Sequence, residues 1–109
     1  MEVIICSDEQ AVGRIAADRI AKVLGRAKAP VLGVATGSTP LTTYSSLAAL
    51  AAEGKADFTD LRAFALDEYI GLPADDERSY AATIRHTVTE QLGLDPANVH
   101  TPDGMADDL

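Results

Sequence analysis

Short apolar runs alternate with helix-like stretches along the chain, and this alternation restricts the possible folds more than any other feature of the sequence. The runs at residues 2–6, 30–35 and 62–66 have strand length, and residues 97–100 begin a fourth. An alternation of strands and helices is typical of a parallel sheet with helices packed on its faces. We therefore predict an α/β fold of this kind.

Capping residues mark where the three intervening helices begin. Ser7 and Gln10 have the spacing of a capping box at the start of the first helix. Thr39 is a suitable N-cap for the second helix, with Pro40 at its first position. Ser79 is a suitable N-cap for the third.

Glycines and apolar spacing complete the prediction of the helices. Gly25, Gly54 and Gly93 are the predicted ends, and Gly93 with Leu94 fits a Schellman motif. In each predicted helix, apolar residues recur at three- and four-residue spacing and form a stripe that we expect to be buried. They comprise Val12, Ile15, Ala16, Ile20, Val23 and Leu24 in the first helix, Leu41, Tyr44, Leu47, Ala48 and Ala51 in the second, and Ile84, Val88 and Leu92 in the third.

Length and composition exclude several classes of protein. A chain of 109 residues with 47% hydrophobic residues suffices for one compact domain and is too short for two. A net charge of −8 disfavours nucleic acid and anionic membranes as partners. No apolar run approaches the roughly 20 residues of a membrane span, the N-terminus lacks signal-peptide features, and the single cysteine excludes an internal disulfide. We therefore expect a cytoplasmic protein.

The turn formed by Thr36, Gly37, Ser38, Thr39 and Pro40 is the first candidate site. It follows a predicted strand at its carboxyl end, where ligands bind in open α/β sheets. Free amides at the start of the next helix favour an anion, and the glycine allows close approach of the backbone. The turn lacks the lysine of a Walker A loop, so ATP is not implied. An ordinary capped turn and a phosphate-binding loop both remain open.

Two adjacent carboxylates, Asp67 and Glu68, follow the third apolar run and form the second candidate site with Tyr69. Because side chains alternate across a strand, we expect only one carboxylate to face the crevice. Partial burial there would suit a general base. The alternative is a helix cap or a loop acid.

We expect the remaining histidine, cysteine and tyrosine candidates to have structural rather than catalytic roles. We expect His86 at the surface of the third helix, His100 in a structural role, and Cys6 and Tyr44 in the core. No His, Cys, Asp or Glu cluster has metal-ligand spacing, so we predict no metal and no cofactor.

The two candidate sites together resemble the glucosamine-6-phosphate deaminase family. Residues 32–40 with Thr42, Thr43 and Tyr44 are similar to its phosphate loop, and residues 64–73 with Ser79 and Tyr80 are similar to its catalytic aspartate segment. The resemblance covers essentially the whole chain and implies a doubly wound, Rossmann-like domain with helices on both faces.

The resemblance also implies a reaction, in which D-glucosamine 6-phosphate and water give D-fructose 6-phosphate and ammonia. In that pattern Asp67 accepts the C2 proton, and Thr36, Gly37, Ser38 and Thr39 hold the 6-phosphate. Glu68 and Tyr69 support the site. The partner is a small sugar phosphate, and we expect a homo-oligomer when the protein is complete.

The family pattern includes a later glycine-rich segment with a ring-opening histidine, and cations that complete the phosphate site. Nothing in residues 68–109 matches that segment. We therefore expect a single domain over residues 1–109 that is truncated at its C-terminal end and inactive alone. Two alternatives are a 6-phosphogluconolactonase, whose pattern has arginine where this chain has Tyr69, and a non-catalytic sugar-phosphate-binding regulatory domain.

Overall fold

The computed structural model describes residues 1–108, and its elements follow the predicted alternation with one exception. The elements in chain order are α1 (Glu9–Arg26), β1 (Val31–Val34), α2 (Leu41–Ala52), β2 (Arg62–Ala65), α3 (Tyr80–Ile84), a π-helical turn (Arg85–Thr89), α4 (Glu90–Leu92), a 3-10 turn (Pro96–Asn98) and β3 (Val99–His100). The three strands form one parallel sheet in the order β1-β2-β3. The predicted α/β class with an incomplete parallel sheet is confirmed.

The predicted first strand at residues 2–6 is wrong for the structure described here. These residues have no regular secondary structure, and Val3, Ile4 and Ile5 are exposed. A β-branched run favours extended backbone, but a strand also needs a neighbouring strand to bond its amides and carbonyls. Cys6, which was expected in the core, is half-buried instead.

The helix boundaries differ from their predictions by one or two residues. Asp8, not Ser7, is the N-cap of α1, because its carboxylate accepts from the Ala11 amide at 2.8 Å. Pro40, not Thr39, is the N-cap of α2, and no side chain caps that helix. Ser79 caps α3 as predicted, accepting from the Ala82 amide at 3.0 Å.

The helix ends follow the glycines in part. Gly93 ends α4 in the left-handed conformation, at φ 68°, and the next amide, of Leu94, donates to Thr89 as in the predicted Schellman motif. Helix α1 continues past Gly25 to Arg26, and α2 ends at Ala52, two residues before Gly54. The sequence holds no signal for the π-helical turn that interrupts the third predicted helix.

The hydrophobic core lies between the helices and one face of the sheet. On that face Val34 and Ala63 are buried, and they pack with Ala17 of α1, Leu47 of α2 and Val88 of the π-helical turn. Burying a valine or leucine side chain contributes roughly 1.5–3 kcal/mol. Gly13 lets α1 approach α2 closely, because a Cβ there would overlap Thr42.

The opposite face of the sheet is exposed in residues 1–108. Val31 and Phe64 point to this side, at 50% and 38% exposure, and Arg62 and His100 share it. His100 stacks on the Phe64 ring at 4.8 Å between centroids, which agrees with its predicted structural role. The helices of this part of the chain thus cover one face, whereas helices were expected on both.

No helix within the described residues is long and apolar enough to cross a membrane. In the same part of the chain, no group of three or more His, Cys, Asp or Glu side chains has an arrangement that could hold a metal ion.

Candidate active site

The loops that follow β1 and β2 leave the sheet side by side. The strands are parallel neighbours, and their last residues, Val34 and Ala65, are paired in register. Thr36 and Asp67 each come two residues later. We name these segments the β1 loop (residues 36–40) and the β2 loop (residues 67–73). The two candidate sites predicted from the sequence therefore meet at one edge of the sheet.

The β1 loop presents backbone amides at the start of α2. Gly37 has φ 96°, a left-handed conformation that suits glycine. Within residues 1–108, the amides of Gly37, Ser38 and Thr39 have no backbone or side-chain acceptor. Free amides before a helix form a site suited to an anion.

Tyr44 is hydrogen-bonded to Ala35, the residue just before the β1 loop. Its hydroxyl accepts from the Ala35 amide at 2.8 Å and donates to the Ala35 carbonyl at 2.9 Å. Burial raises the pKa of this phenol, and the bond to Ala35 lowers it in part. Tyr44 is buried as predicted, at 5% exposure. It therefore fixes the backbone one residue before the loop amides.

A shallow cavity of about 170 Å³ lies beside the β1 loop, lined by Ser38, Thr39 and Thr42 with Glu9 and Val12 of α1. Among the described residues, no lysine or arginine lines this cavity. A larger cavity of about 560 Å³ lies between α1 and α2, and its lining includes no residue of either loop. We assign the candidate site to the loops, because the free amides are there.

The two adjacent carboxylates of the β2 loop lie in different surroundings. Asp67 is exposed, so the partial burial expected of a general base is not found in residues 1–108. Glu68 turns to α3. Its Oε1 accepts from the amides of Tyr69 and Tyr80 at 2.8 and 2.9 Å, and its Oε2 accepts from Ala81 at 2.9 Å. Desolvation raises the pKa of Glu68, but these three bonds outweigh it and hold the pKa below its usual value.

The tail of the described chain packs under the β2 loop. Gly104 is buried, and its carbonyl accepts from the Gly71 amide at 2.8 Å. A Cβ at Gly104 would overlap the Tyr69 carbonyl oxygen. Sequence reasoning assigned no role to Gly104, because a close approach between residues 35 positions apart leaves no local signal.

Tyr80, which the sequence analysis named in the aspartate segment without giving it a role, packs against the β2 loop. Its hydroxyl donates to the Tyr69 hydroxyl at 3.2 Å, and the two rings stand 4.6 Å apart. The bond to Tyr69 is the largest cause that raises the pKa of Tyr80. The negative charge of Asp67 also raises it. Asp67 and Tyr69, both in the β2 loop, thus act on one phenol.

His86 lies outside this site. It is half-exposed on the π-helical turn, between Glu77 at 3.1 Å and Glu90 at 3.3 Å, which raise its pKa. This agrees with the predicted surface position.

Comparison with known proteins assigns the class. The family model described as glucosamine-6-phosphate isomerases/6-phosphogluconolactonase matches residues 7–108. The chain belongs to this family. It is 47% identical over all 109 residues to a glucosamine-6-phosphate deaminase of Pseudarthrobacter chlorophenolicus and 46% identical to one of Streptomyces avermitilis. The chain spans 42% of the length of each of these relatives.

Solved structures agree with this assignment. A monomeric glucosamine-6-phosphate deaminase matches with a TM-score of 0.92 at 33% identity, over 99% of this chain and 45% of that one. The 6-phosphogluconolactonase of Plasmodium vivax matches with a TM-score of 0.69 at 24% identity, over 92% of this chain and 34% of that one, and shares the fold. The predicted resemblance to the deaminase family is confirmed.

Proposed function

We propose that residues 1–109 provide the phosphate-binding loop and the proton-accepting carboxylate of a glucosamine-6-phosphate deaminase. The observation that supports this most directly is geometric: the β1 loop and the β2 loop leave neighbouring parallel strands at one edge of the sheet, in register. A sugar phosphate bound by the amides of Gly37, Ser38 and Thr39 would extend towards Asp67. The 47% identity to a named deaminase over the whole chain adds to this support.

The proposed reaction moves one proton between neighbouring carbons. In the ring-opened sugar, the Asp67 carboxylate takes the C2 proton while the C1 aldehyde oxygen takes up a proton, which gives an enolamine. Asp67 then returns its proton to C1, and the nitrogen remains as an imine on C2. Water adds to C2, ammonia leaves, and the C2 ketone of fructose 6-phosphate remains. The phosphate lies far from these atoms, so its binding energy can position C2 over the carboxylate.

The other residues of the site bind the phosphate or hold a loop in place in this proposal. Thr36 contributes a hydroxyl to the phosphate loop, and Glu68 and Tyr69 hold the β2 loop in place. The ring-opening histidine of the family pattern has no counterpart in residues 68–109. We therefore expect the 109-residue chain alone not to turn over the sugar. We also expect the working enzyme to be cytoplasmic and homo-oligomeric.

A chimera tests the function. Residues 1–109 replace the matching segment of the Pseudarthrobacter chlorophenolicus deaminase, and ammonia and fructose 6-phosphate are measured with glucosamine 6-phosphate as substrate. We expect turnover by the chimera and none by the 109-residue chain. Asp67→Asn should lower kcat of the chimera by about 100-fold to 10,000-fold, the usual contribution of a general base, and leave KM nearly unchanged.

Asp75→Asn is the matched control, because Asp75 is an exposed acid just beyond the β2 loop and should be replaceable without loss. Full turnover by the Asp67→Asn chimera would refute the assigned base. Hydrolysis of 6-phosphogluconolactone by the chimera, without ammonia release from the amino sugar, would favour the lactonase alternative. Sugar-phosphate binding without turnover of either compound would favour the regulatory one.

A further inference from the structure

The turn at residues 103–106 follows β3, the strand that pairs with β2 on the side opposite β1. The Gly104 carbonyl in this turn accepts from the Gly71 amide at 2.8 Å. Gly104 also lies so close to the Tyr69 carbonyl oxygen that a Cβ at this position would overlap it. One residue of the tail therefore contacts the backbone of the β2 loop at two points.

Backbone contacts matter in the β2 loop because its side chains provide little packing. Tyr69 and Ile70 are 50% and 77% exposed. Side chains that remain in water contribute little to holding a loop in one conformation. The hydrogen bonds that hold this loop come from two directions, at the start of α3 through the Glu68 carboxylate and from the tail through Gly104.

The turn that carries Gly104 is stabilised by its own hydrogen bonds. The Asp103 carboxylate accepts from the Met105 amide at 2.9 Å, and the Asp103 carbonyl accepts from the Ala106 amide at 3.3 Å. An aspartate side chain that bonds the amide two residues further on favours a turn. Because β3 is paired with β2, the turn is also attached to the strand that precedes the β2 loop. It can therefore act as a fixed support for that loop.

We propose that Gly104 is a positioning residue, which holds the β2 loop so that the Asp67 carboxylate faces the C2 proton of the bound sugar. This inference rests on the proposed function, which assigned the base to Asp67. The contacts at Tyr69 and Gly71 lie two and four residues beyond Asp67, so Gly104 acts through the backbone and need not touch the substrate. Proton transfer depends on such positioning, because a misplacement of about 1 Å can cost about 100-fold in rate.

Gly104→Ala in the chimera should separate kcat from KM. The new methyl group forces the β2 loop to move, so kcat should fall about 100-fold. KM should change by less than about twofold, because the phosphate is held by the β1 loop. A loss of stability alone lowers the folded fraction, and the parent rate then returns when the assay runs well below the melting temperature. A misplaced base lowers kcat at every temperature.

Asp103 offers a second pair of variants that does not crowd the contact. Asp103→Ala removes the bond to the Met105 amide and should lower kcat about threefold to tenfold. Asp103→Asn keeps an acceptor oxygen and should retain the parent rate. Asp107→Ala is the control with the same change of charge as Asp103→Ala, because Asp107 is exposed and lies outside the two hydrogen bonds of the turn.

The outcome depends first on whether Gly104→Ala folds. If it folds, a parent value of kcat, with or without a higher KM, overturns the proposal. If it does not fold, the Asp103 pair decides, and equal kcat values for Asp103→Ala and Asp103→Asn overturn the proposal.

Hydrogen exchange on the 109-residue chain separates this proposal from the proposed function. The Gly71 amide donates to Gly104, so it should be protected in the parent chain and exchange about tenfold faster in Asp103→Ala. The Ala81 amide, which is bonded to Glu68, should not change. A Gly71 amide that exchanges as fast as a free peptide in the parent chain overturns the positioning role and leaves the proposed function standing. An inactive parent chimera refutes the proposed function and this inference with it.

Discussion

The two loops of the candidate site are built in opposite ways. The β1 loop is attached to the core at one place, where Tyr44 holds Ala35, and its own amides are left free. The β2 loop is attached from two sides, by Glu68 to the start of α3 and by Gly71 to Gly104. An anion needs free donors, whereas a proton acceptor needs a fixed orientation. The difference therefore matches the two roles we propose.

The largest effect is expected from a methyl group at Gly104. Gly104→Ala places a Cβ against the Tyr69 carbonyl oxygen, and backbone on both sides resists movement. We expect a loss of about 3 kcal/mol in the free energy of unfolding, at the upper end for overpacking, measured by urea denaturation. Gly25→Ala is the control, because it has open space around it in α1 and should be neutral or stabilising. Equal stability of the two variants would show that the β2 loop is not held by the tail.

Glu68→Gln should have the next largest effect, because an amide nitrogen would face a backbone amide in place of an acceptor. Hydrogen bonds to a charged group are worth about 1.5–3 kcal/mol, so we expect a loss of about 2 kcal/mol at pH 7. The folded pKa of Glu68 lies below its unfolded value of 4.5. Its contribution is therefore complete above pH 4.5 and is lost as the pH falls through the folded pKa.

Urea denaturation of the parent and of Glu68→Gln between pH 7 and pH 3 measures this contribution. The difference in the free energy of unfolding between the parent and Glu68→Gln should shrink as the pH falls below 4.5. A difference that does not change with pH would contradict the role assigned to the ionised Glu68 carboxylate in holding the β2 loop.

Tyr44→Phe should have a smaller effect that is confined to the β1 loop. The variant loses two hydrogen bonds to Ala35. We therefore expect the free energy of unfolding to fall by about 1 kcal/mol. Hydrogen exchange at the Ala35 amide should accelerate, while exchange at the Ala81 amide in α3 should not change. Acceleration at both amides would mean that the loops are not held independently.

Thr39→Ala should have the smallest effect on stability, within about 0.5 kcal/mol, because no side chain caps α2. Ser79→Ala is its counterpart at α3 and should cost about 1 kcal/mol, since Ser79 accepts from the Ala82 amide. The melting temperatures of the two variants measure this difference. Thr39 is of a residue type common at N-caps but caps no helix, whereas Ser79 does cap α3.

The sequence predicted the layered class, the three strands of the sheet and the two loops, because each depends on local periodicity and capping residues. It failed at residues 2–6, where a strand-like β-branched run pairs with no strand of the described chain. Likewise, the contact of Gly104 with Tyr69 and the hydrogen bond of the Tyr80 amide to Glu68 join residues distant in the chain. No local pattern predicts such contacts, although the segment with Ser79 and Tyr80 had marked the right neighbourhood.

The exposed face of the sheet, with Val31 and Phe64, has a consequence for how the 109-residue chain behaves in solution. An apolar surface beside an open strand edge favours association between copies. At pH 7 the net charge of −8 opposes this by mutual repulsion. That repulsion disappears near the isoelectric point of about 4.5. Solubility should therefore reach its minimum in mildly acidic buffer and recover on either side of it.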